Sequence, residues 1–202
     1  MRPYLTVAQE ARIEQKLKRS RFIGQVKEVT SEEEARAFIA RVQAEHRQAT
    51  HNCYAYRIGS GKNEIIYYSD AGEPHGTAGR PILGAILSAG VTDVVVVVTR
   101  YFGGQKLGVR GLIEAYGGTA QAVLAAAGIK EKVPVRTLKL RCSYEQLDRV
   151  KGLLRQYGGK IIAGDYGVSA TLEIEVPLES LPALTAALGA IGIISGQIDA
   201  GR

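Results

Sequence analysis

The run VVVVVTRYFGGQKLG at residues 94–108 decides how the first half of this chain folds. Its first six residues form a short apolar segment, typical of a strand buried on both faces. A glycine-rich loop follows, directly before a helical stretch over about residues 108–127. Backbone N–H groups at a helix start form a ready anion site, and glycines let the backbone approach a ligand closely. The run therefore predicts a buried strand that delivers a binding loop.

The residues before this run predict the rest of an α/β sandwich. A strand is expected over residues 22–29, and Ser31 to Glu34 has the pattern of a capping box for a helix that reaches about Glu45. Residues 52–58 and 64–68 predict a hairpin around residues 59–63. A further helix is expected over about residues 78–89.

A domain boundary is expected after Gly128, where Lys130 to Pro134 interrupts an alanine-rich helical pattern. We predict domains at residues 1–130 and 134–202. The sequence of the second domain predicts a strand over 135–142 and a helix between Ser143 and Gly158. Two strands are expected next, over 160–163 and 168–176, joined by a turn at 164–167. A helix over 181–188 and a strand over 191–198 complete the domain. The order βαββαβ favours a ferredoxin-like sheet, and the fold class of the whole chain is α+β.

Composition favours a cytoplasmic protein. The apolar run at residues 94–98 has only five residues, no apolar stretch follows the basic N-terminus, and two cysteines are too few for a disulfide scaffold. The formal charge is +6, with an excess of +5 in residues 1–132 and +1 in residues 133–202. This bias favours a phosphate-bearing or acidic partner without indicating a dedicated duplex-DNA binder.

A second unusual loop, DAGEPHGTAGRP at residues 70–81, holds three glycines, two prolines and four ionisable residues. Two interpretations stay open: the glycines make tight turns while Arg100 pairs with Asp70 or Glu73, or the loops form a ligand surface. We predict the second, with Tyr101 as the aromatic that stacks on a base from the loop. The predicted binding residues are Arg19, Arg21, Arg80, Arg100, Tyr101, Gly103, Gly104, Lys106, Gly108 and Arg110.

Catalysis and metal binding are weaker alternatives. Asp70 and Glu73 could form a hydrolytic carboxylate pair on a phosphate- or peptide-containing substrate, with His75 as acid or base and Arg100 stabilising an oxyanion. His51 and Cys53 share a strand face, but a zinc site needs three or four ligands, and His46, His75 and Cys142 lack motif spacing. Strict nucleotide motifs are absent, and Gly61-Lys62 lacks the other residues of a P-loop. We predict no metal and no cofactor.

The N-terminal segment carries basic residues opposed only by Glu14: Arg12, Lys16, Lys18, Arg19 and Arg21. They either touch nucleic acid or form a solvated charged edge. Tyr54 and Tyr56 lie in a strand, where tyrosines usually fill or border the core.

Four blocks together carry a family resemblance: KRSRFI at 18–23, HNCYAY at 51–56, GEPHGTAG at 72–79 and TRYFGGQKLG at 99–108. With them the chain resembles a bacterial, two-domain member of the IMPACT family over essentially its whole length. The resemblance implies a first domain with the ribosomal protein S five domain two-like fold of the fourth domain of elongation factor G, including a left-handed βαβ arrangement. It implies a translation-factor ferredoxin-like module as the second domain.

The resemblance also implies a function. Eukaryotic members restrain the amino-acid-starvation kinase pathway through a protein partner, which implies translational control under stress rather than catalysis. The expected partner is therefore RNA, the ribosome or a translation-related protein. A proline dipeptidase label attached to some bacterial members has no support in this sequence, which shows neither paired metal centres nor a nucleophilic triad. The chain departs from the family at Ala71, usually aspartate, and at Arg110 and Glu114, usually glycine and a basic residue; spaced i, i+4, these two are expected to pair.

Overall fold

The computed structural model describes residues 3–61, 64–193 and 195–197. The described residues of 4–131 form one compact unit, and those of 132–197 with Pro3 form a second. The strands are β1 (Tyr4–Val7), β2 (Ala11–Leu17), β3 (Ser20–Glu28), β4 (His51–Ile58), β5 (Ile65–Ser69), β6 (Val94–Tyr101), β7 (Ile129–Lys132), β8 (Val135–Cys142), β9 (Lys160–Tyr166), β10 (Ala170–Pro177) and β11 (Ser195–Gln197). The helices are α1 (Glu32–Glu45), α2 (Gly79–Ser88), α3 (Gly108–Ala127), α4 (Tyr144–Gln156) and α5 (Leu181–Ala190).

The first unit is built on a five-stranded antiparallel sheet with the order β2-β3-β6-β4-β5. Strands β3 and β4 both pair antiparallel with β6, so they run parallel to each other and are joined by α1 across it. A separate two-stranded sheet pairs β1 with β7.

Strand β6 is buried on both faces because helices cover both sides of the sheet. Val94, Val96 and Val98 lie in the core beneath α2 and α3, whereas Val95 and Val97 lie in the core beneath α1. This placement explains why β6 reads as a continuous apolar run rather than an alternating one. The five valines of β6 are thus divided between the two hydrophobic cores, one on each face of the sheet.

The second unit has the predicted ferredoxin-like form. Its sheet has the order β11-β8-β10-β9, and every pairing is antiparallel. Alternate residues of β10 are buried, and its core packs on α4 and α5. Ser143 and Gln146 form a complete capping box at the start of α4. The α+β class is therefore confirmed.

Several sequence-based boundaries are wrong. Strands β1, β2 and β7 were not predicted, and β2 lies where only a charged run was expected. Strand β9 continues to Tyr166, so the turn falls at residues 167–169 and not at 164–167. At α1, Ser31 Oγ accepts from the N–H of Glu34, but the Glu34 carboxylate bonds the N–H of Thr30, not of Ser31. Lys62 and Asn63 of the predicted hairpin turn lie outside the described residues.

No described helix is both long enough and apolar enough to cross a membrane.

Candidate nucleic-acid interface

Four loops of the first unit meet at one end of the five-stranded sheet. Strand register places them there: Leu17 pairs with Ser20, Arg21 with Tyr101, His51 with Arg100, and Tyr54 with Ser69. The loops are the β2–β3 turn (18–19), the α1–β4 loop (46–50), the β5–α2 loop (70–78) and the β6–α3 loop (102–107). Helices α2 and α3 also begin at this end. Every sequence-predicted binding residue lies in these loops, at the strand ends beside them or in the first turn of α2 or α3.

Arg100 lies inside the protein, in a buried ion pair. Its Nη1 donates to Glu73 Oε1 at 2.7 Å, and the two side chains are 6% and 3% exposed. The Tyr116 hydroxyl donates to the same oxygen at 2.8 Å, and His51 Nε2 lies 3.9 Å from it. Of the two interpretations open at the sequence level, the structure has the ion pair with Glu73. Arg100 therefore does not present its charge to solvent.

The guanidinium of Arg100 contacts residues of strand β3 and of the β6–α3 loop. Its Nη2 lies 3.5 Å from Ser20 Oγ, and its Cζ lies 5.7 Å from the ring centroid of Phe22 and 5.3 Å from that of Phe102. Among the described residues its Nε is buried without a hydrogen-bond partner. Arg100 thus fixes the position of neighbouring strands and of the β6–α3 loop.

Asp70 organises the β5–α2 loop. Its Oδ2 accepts from the N–H of Gly76 at 2.8 Å, and its Oδ1 accepts from the N–H groups of Ala78 and Gly79 at 3.0 and 2.8 Å. Burial alone would raise the pKa of this carboxyl, but the three backbone bonds outweigh burial and lower the pKa below its ordinary value. Asp70 therefore acts as a remote cap for α2, whose own N-cap residue makes no side-chain bond.

The other residues of the hydrolase and metal alternatives support the same loop. Cys53 Sγ donates to the Asp70 carbonyl, and His51 Nδ1 donates to the Ala71 carbonyl, each at 2.9 Å. His75 is exposed, with Nδ1 3.8 Å from Asp70 Oδ2. In the described ranges no three His, Cys, Asp or Glu side chains are grouped to hold a metal ion. Both oxygens of Asp70 and one of Glu73 are thus committed to internal bonds.

The β2–β3 turn and the β6–α3 loop are in close backbone contact. A Cβ built on Gly103 would lie 1.9 Å from the carbonyl oxygen of Arg19, and the Gly103 N–H donates to Ser20 Oγ at 3.3 Å. Lys18 and Arg19 both have positive φ, 44° and 67°, an uncommon backbone for residues with side chains. The close approach predicted for the loop glycines is, at Gly103, an approach to the protein's own backbone. The strained turn holds two basic side chains at the surface.

The prediction that Tyr101 lies in the loop is wrong, because Tyr101 is the last residue of β6. Its hydroxyl bonds His46 Nδ1 at 2.9 Å, and Arg21 Cζ lies 4.3 Å above its ring. Burial, the main cause, lowers the pKa of His46, whose Nε2 lies 3.2 Å from Gln25 Nε2. Phe102, the residue after Tyr101, lies in the loop and is exposed.

Exposed basic side chains define what we call the basic end of the sheet: Lys18, Arg19, Arg47, Arg80 and Lys106. Within residues 3–61, 64–193 and 195–197 none of these five forms an ion pair. Arg110 is different, because it forms the expected pair with Glu114 at 2.9 Å. Arg12 and Arg21 lie about one salt-bridge length from acids, at 4.0 Å from Glu45 and 3.9 Å from Glu14. The acids closest to the loops, Asp70 and Glu73, are occupied internally, so the basic end is positive.

Sequence reasoning missed three contributors to this end. Arg47 follows the end of α1 and carries no motif, and Tyr116 lies two turns into α3, so only tertiary structure places either of them. Phe102 could have been found, because it directly follows a strand in which every residue up to Arg100 is buried. Tyr54 and Tyr56 stack on Tyr67 of β5, and Tyr56 is buried, as expected for strand tyrosines.

Comparisons with known proteins agree with this architecture. Residues 18–124 match the model of the Impact N-terminal domain, and residues 140–191 match a domain of unknown function, DUF1949. The IMPACT family member YigZ of Escherichia coli is 36% identical over 93% of both chains. The crystal structure of a hypothetical protein aligns over 100% of both chains with 34% identity and a TM-score of 0.70. A chain of the two-domain translational regulator Yih1 aligns with 28% identity over 61% of this chain and 47% of its own length; its TM-score of 0.37 is too low to establish a shared fold.

Proposed function

This chain belongs to the IMPACT family, and we propose that it is a protein of translational control that binds RNA, free or within the ribosome, through the basic end of its first unit. Binding rather than catalysis is proposed because the carboxylates that a hydrolase would use are bonded to backbone N–H groups or to Arg100. The proposed setting is the cytoplasm.

The observation that carries this proposal is the set of exposed cations at the basic end that form no ion pair with any described residue. Surface cations of folded proteins often face acids, as Arg110 faces Glu114. At the basic end, Lys18, Arg19 and Lys106 are exposed, while the adjacent carboxylates have internal partners. Several exposed cations on loops at one end of a sheet favour a phosphate-rich ligand.

In the proposed division of labour, residues 1–130 bind and residues 134–202 serve as an accessory domain. The open face of the second sheet alternates charges, with Lys139 Nζ lying 4.0 Å from Glu173 Oε1. Arg141 Nε donates to Ser169 Oγ, in the turn directly before β10, at 2.9 Å. Because its positive and negative charges offset each other, this face attracts a polyanion less strongly than the basic end does.

The test is a salt-titrated binding assay with ribosomes and with a structured RNA. A Lys18→Ala, Arg19→Ala, Lys106→Ala variant removes three exposed cations, and Arg149→Ala, Lys151→Ala, Lys160→Ala removes the same charge from the second unit. Each lost phosphate contact should reduce the slope of log K against log salt by about 0.7 to 0.9. The first variant should therefore bind weakly and with a flatter slope, while the second behaves as the native chain.

Two results would count against the proposal. An equal loss of RNA affinity in both triple variants would mean that binding depends only on the net charge of the protein and not on the basic end. Absence of binding by the native chain at low salt would rule out RNA, and a salt-insensitive complex with one translation-related protein would then be the function to pursue.

A further inference from the structure

Phe102 is a large aromatic side chain that the basic end holds at its surface. It is 45% exposed and is the first residue after β6. Its N–H donates to Thr50 Oγ1 at 3.0 Å, and the next residue, Gly103, lies against the backbone of Arg19. The backbone on either side of the ring is therefore anchored to two different loops, and the ring is held in a defined place.

The environment of the ring has two parts. Toward the core, the Arg100 guanidinium lies 5.3 Å from the ring centroid, held by its ion pair with Glu73. Because Arg100 is itself buried, the exposed part of Phe102 is turned away from it. A cation on the inner side of an aromatic ring leaves the outer side free for a flat, apolar or π-rich group.

Residues with cationic side chains lie near Phe102 in its own loop and in the adjacent β2–β3 turn. Strand register continues from the Arg21–Tyr101 pair, so Lys18 and Arg19 lie in the turn beside residues 102–103. Lys106 follows in the same loop as Phe102. An aromatic platform bordered by cations is the arrangement by which proteins hold single strands: bases stack on the ring while phosphates meet the charges.

We propose that Phe102 stacks on an unpaired base, so that the ligand of the basic end is single-stranded or loop RNA. This inference rests on the proposed RNA-binding function and makes it more specific. Bases inside an A-form duplex are stacked on each other and cannot cover the ring, whereas bases in loops, bulges and ends can. Phe102 therefore selects for unpaired RNA, and the surrounding cations supply affinity that is independent of pairing.

The experiment measures the affinity of the full chain for a short, unstructured oligouridylate and for a duplex of the same length, at constant salt. Phe102→Ala and Phe102→Leu should weaken oligouridylate binding roughly 5- to 150-fold, the range expected for one stacked base, while Phe102→Trp should bind at least as well as the native chain. Duplex affinity and the salt slope should be unchanged, because no phosphate contact is lost. Circular dichroism checks that the variants fold.

The outcomes separate this inference from the function on which it rests. If Phe102→Ala binds oligouridylate like the native chain while the triple Lys18, Arg19, Lys106 variant does not, RNA binding stands and stacking is wrong. If Phe102→Leu retains affinity that Phe102→Ala loses, the side chain makes a general apolar contact and the inference is again overturned. If the native chain binds neither the oligouridylate nor the duplex at low salt, the proposed RNA-binding function is wrong, and so is the inference that rests on it.

Discussion

Glu73→Ala is expected to be among the most damaging single changes in the first unit, because it leaves a buried guanidinium without its counter-ion. Glu73 Oε1 accepts from Arg100 Nη1 and from the Tyr116 hydroxyl, and Arg100 Nε already lacks a partner among the described residues. Breaking a buried ion pair on one side costs about 3–5 kcal/mol in the free energy of unfolding. With a urea dependence of about 2 kcal/mol per molar, the unfolding midpoint should fall by roughly 2 M.

The assay is urea unfolding followed by far-ultraviolet circular dichroism, with an exposed pair as the matched control. Arg110 and Glu114 have 93% and 64% exposed side chains, so Glu114→Ala should cost less than about 0.5 kcal/mol. In a Glu73→Leu background, Arg100→Met should recover most of the lost stability, because replacing both partners of a buried pair removes the uncompensated charge. A loss below about 1 kcal/mol for Glu73→Ala would refute the buried pair as the centre of this region.

Three further changes test the loops and the core. Asp70→Asn offers one acceptor oxygen in place of two, so it should lose roughly 1–3 kcal/mol at neutral pH. Because the pKa of Asp70 is lowered in the folded state, its carboxylate stabilises the fold above the unfolded pKa of about 4, and this stabilisation is lost as pH falls through the folded pKa. Between neutral and acid pH, the free energy of unfolding should therefore change less with pH in the variant than in the native chain. Burial raises the pKa of Cys53 to about 12 and also raises that of Cys142, so both thiols should react with a disulfide reagent only when urea unfolds the chain; rapid labelling of the native protein would contradict this. Gly103→Ala should destabilise by about 1–3 kcal/mol or more, whereas Gly118→Ala, in an open helical position, should stabilise by up to about 1 kcal/mol; equal effects would argue against the close backbone approach.

The periodic core was predictable from sequence because burial leaves a direct pattern in the residues. The five valines of β6 are apolar at every position, since two cores need them, and β10 alternates because only one of its faces is buried. Strand β2 escaped prediction for the opposite reason. It is an edge strand that carries charges at the exposed positions 12, 14 and 16, and its inward residues are only partly buried.

The sequence predicted which loops form the candidate site, and the structure brings those loops together at one end of the sheet, but the role of each residue was not predictable. The loops were singled out by glycines and charged residues at the end of a buried strand. Whether Arg100 faces a ligand or Glu73 depends on a contact between residues 27 positions apart and on Tyr116 of α3, which no local pattern specifies. The choice between Tyr101 and Phe102 as the exposed aromatic depended on one residue of strand length.

If RNA binds at the basic end, NMR can locate the bound RNA on the chain. Backbone amide NMR spectra of the full chain, recorded while a single-stranded RNA is added, report which residues contact or adjust to the ligand. We expect the largest changes on residues 18–20, 47–50 and 102–107. Changes centred on the exposed apolar strand β5, or on residues 132–197, would contradict it.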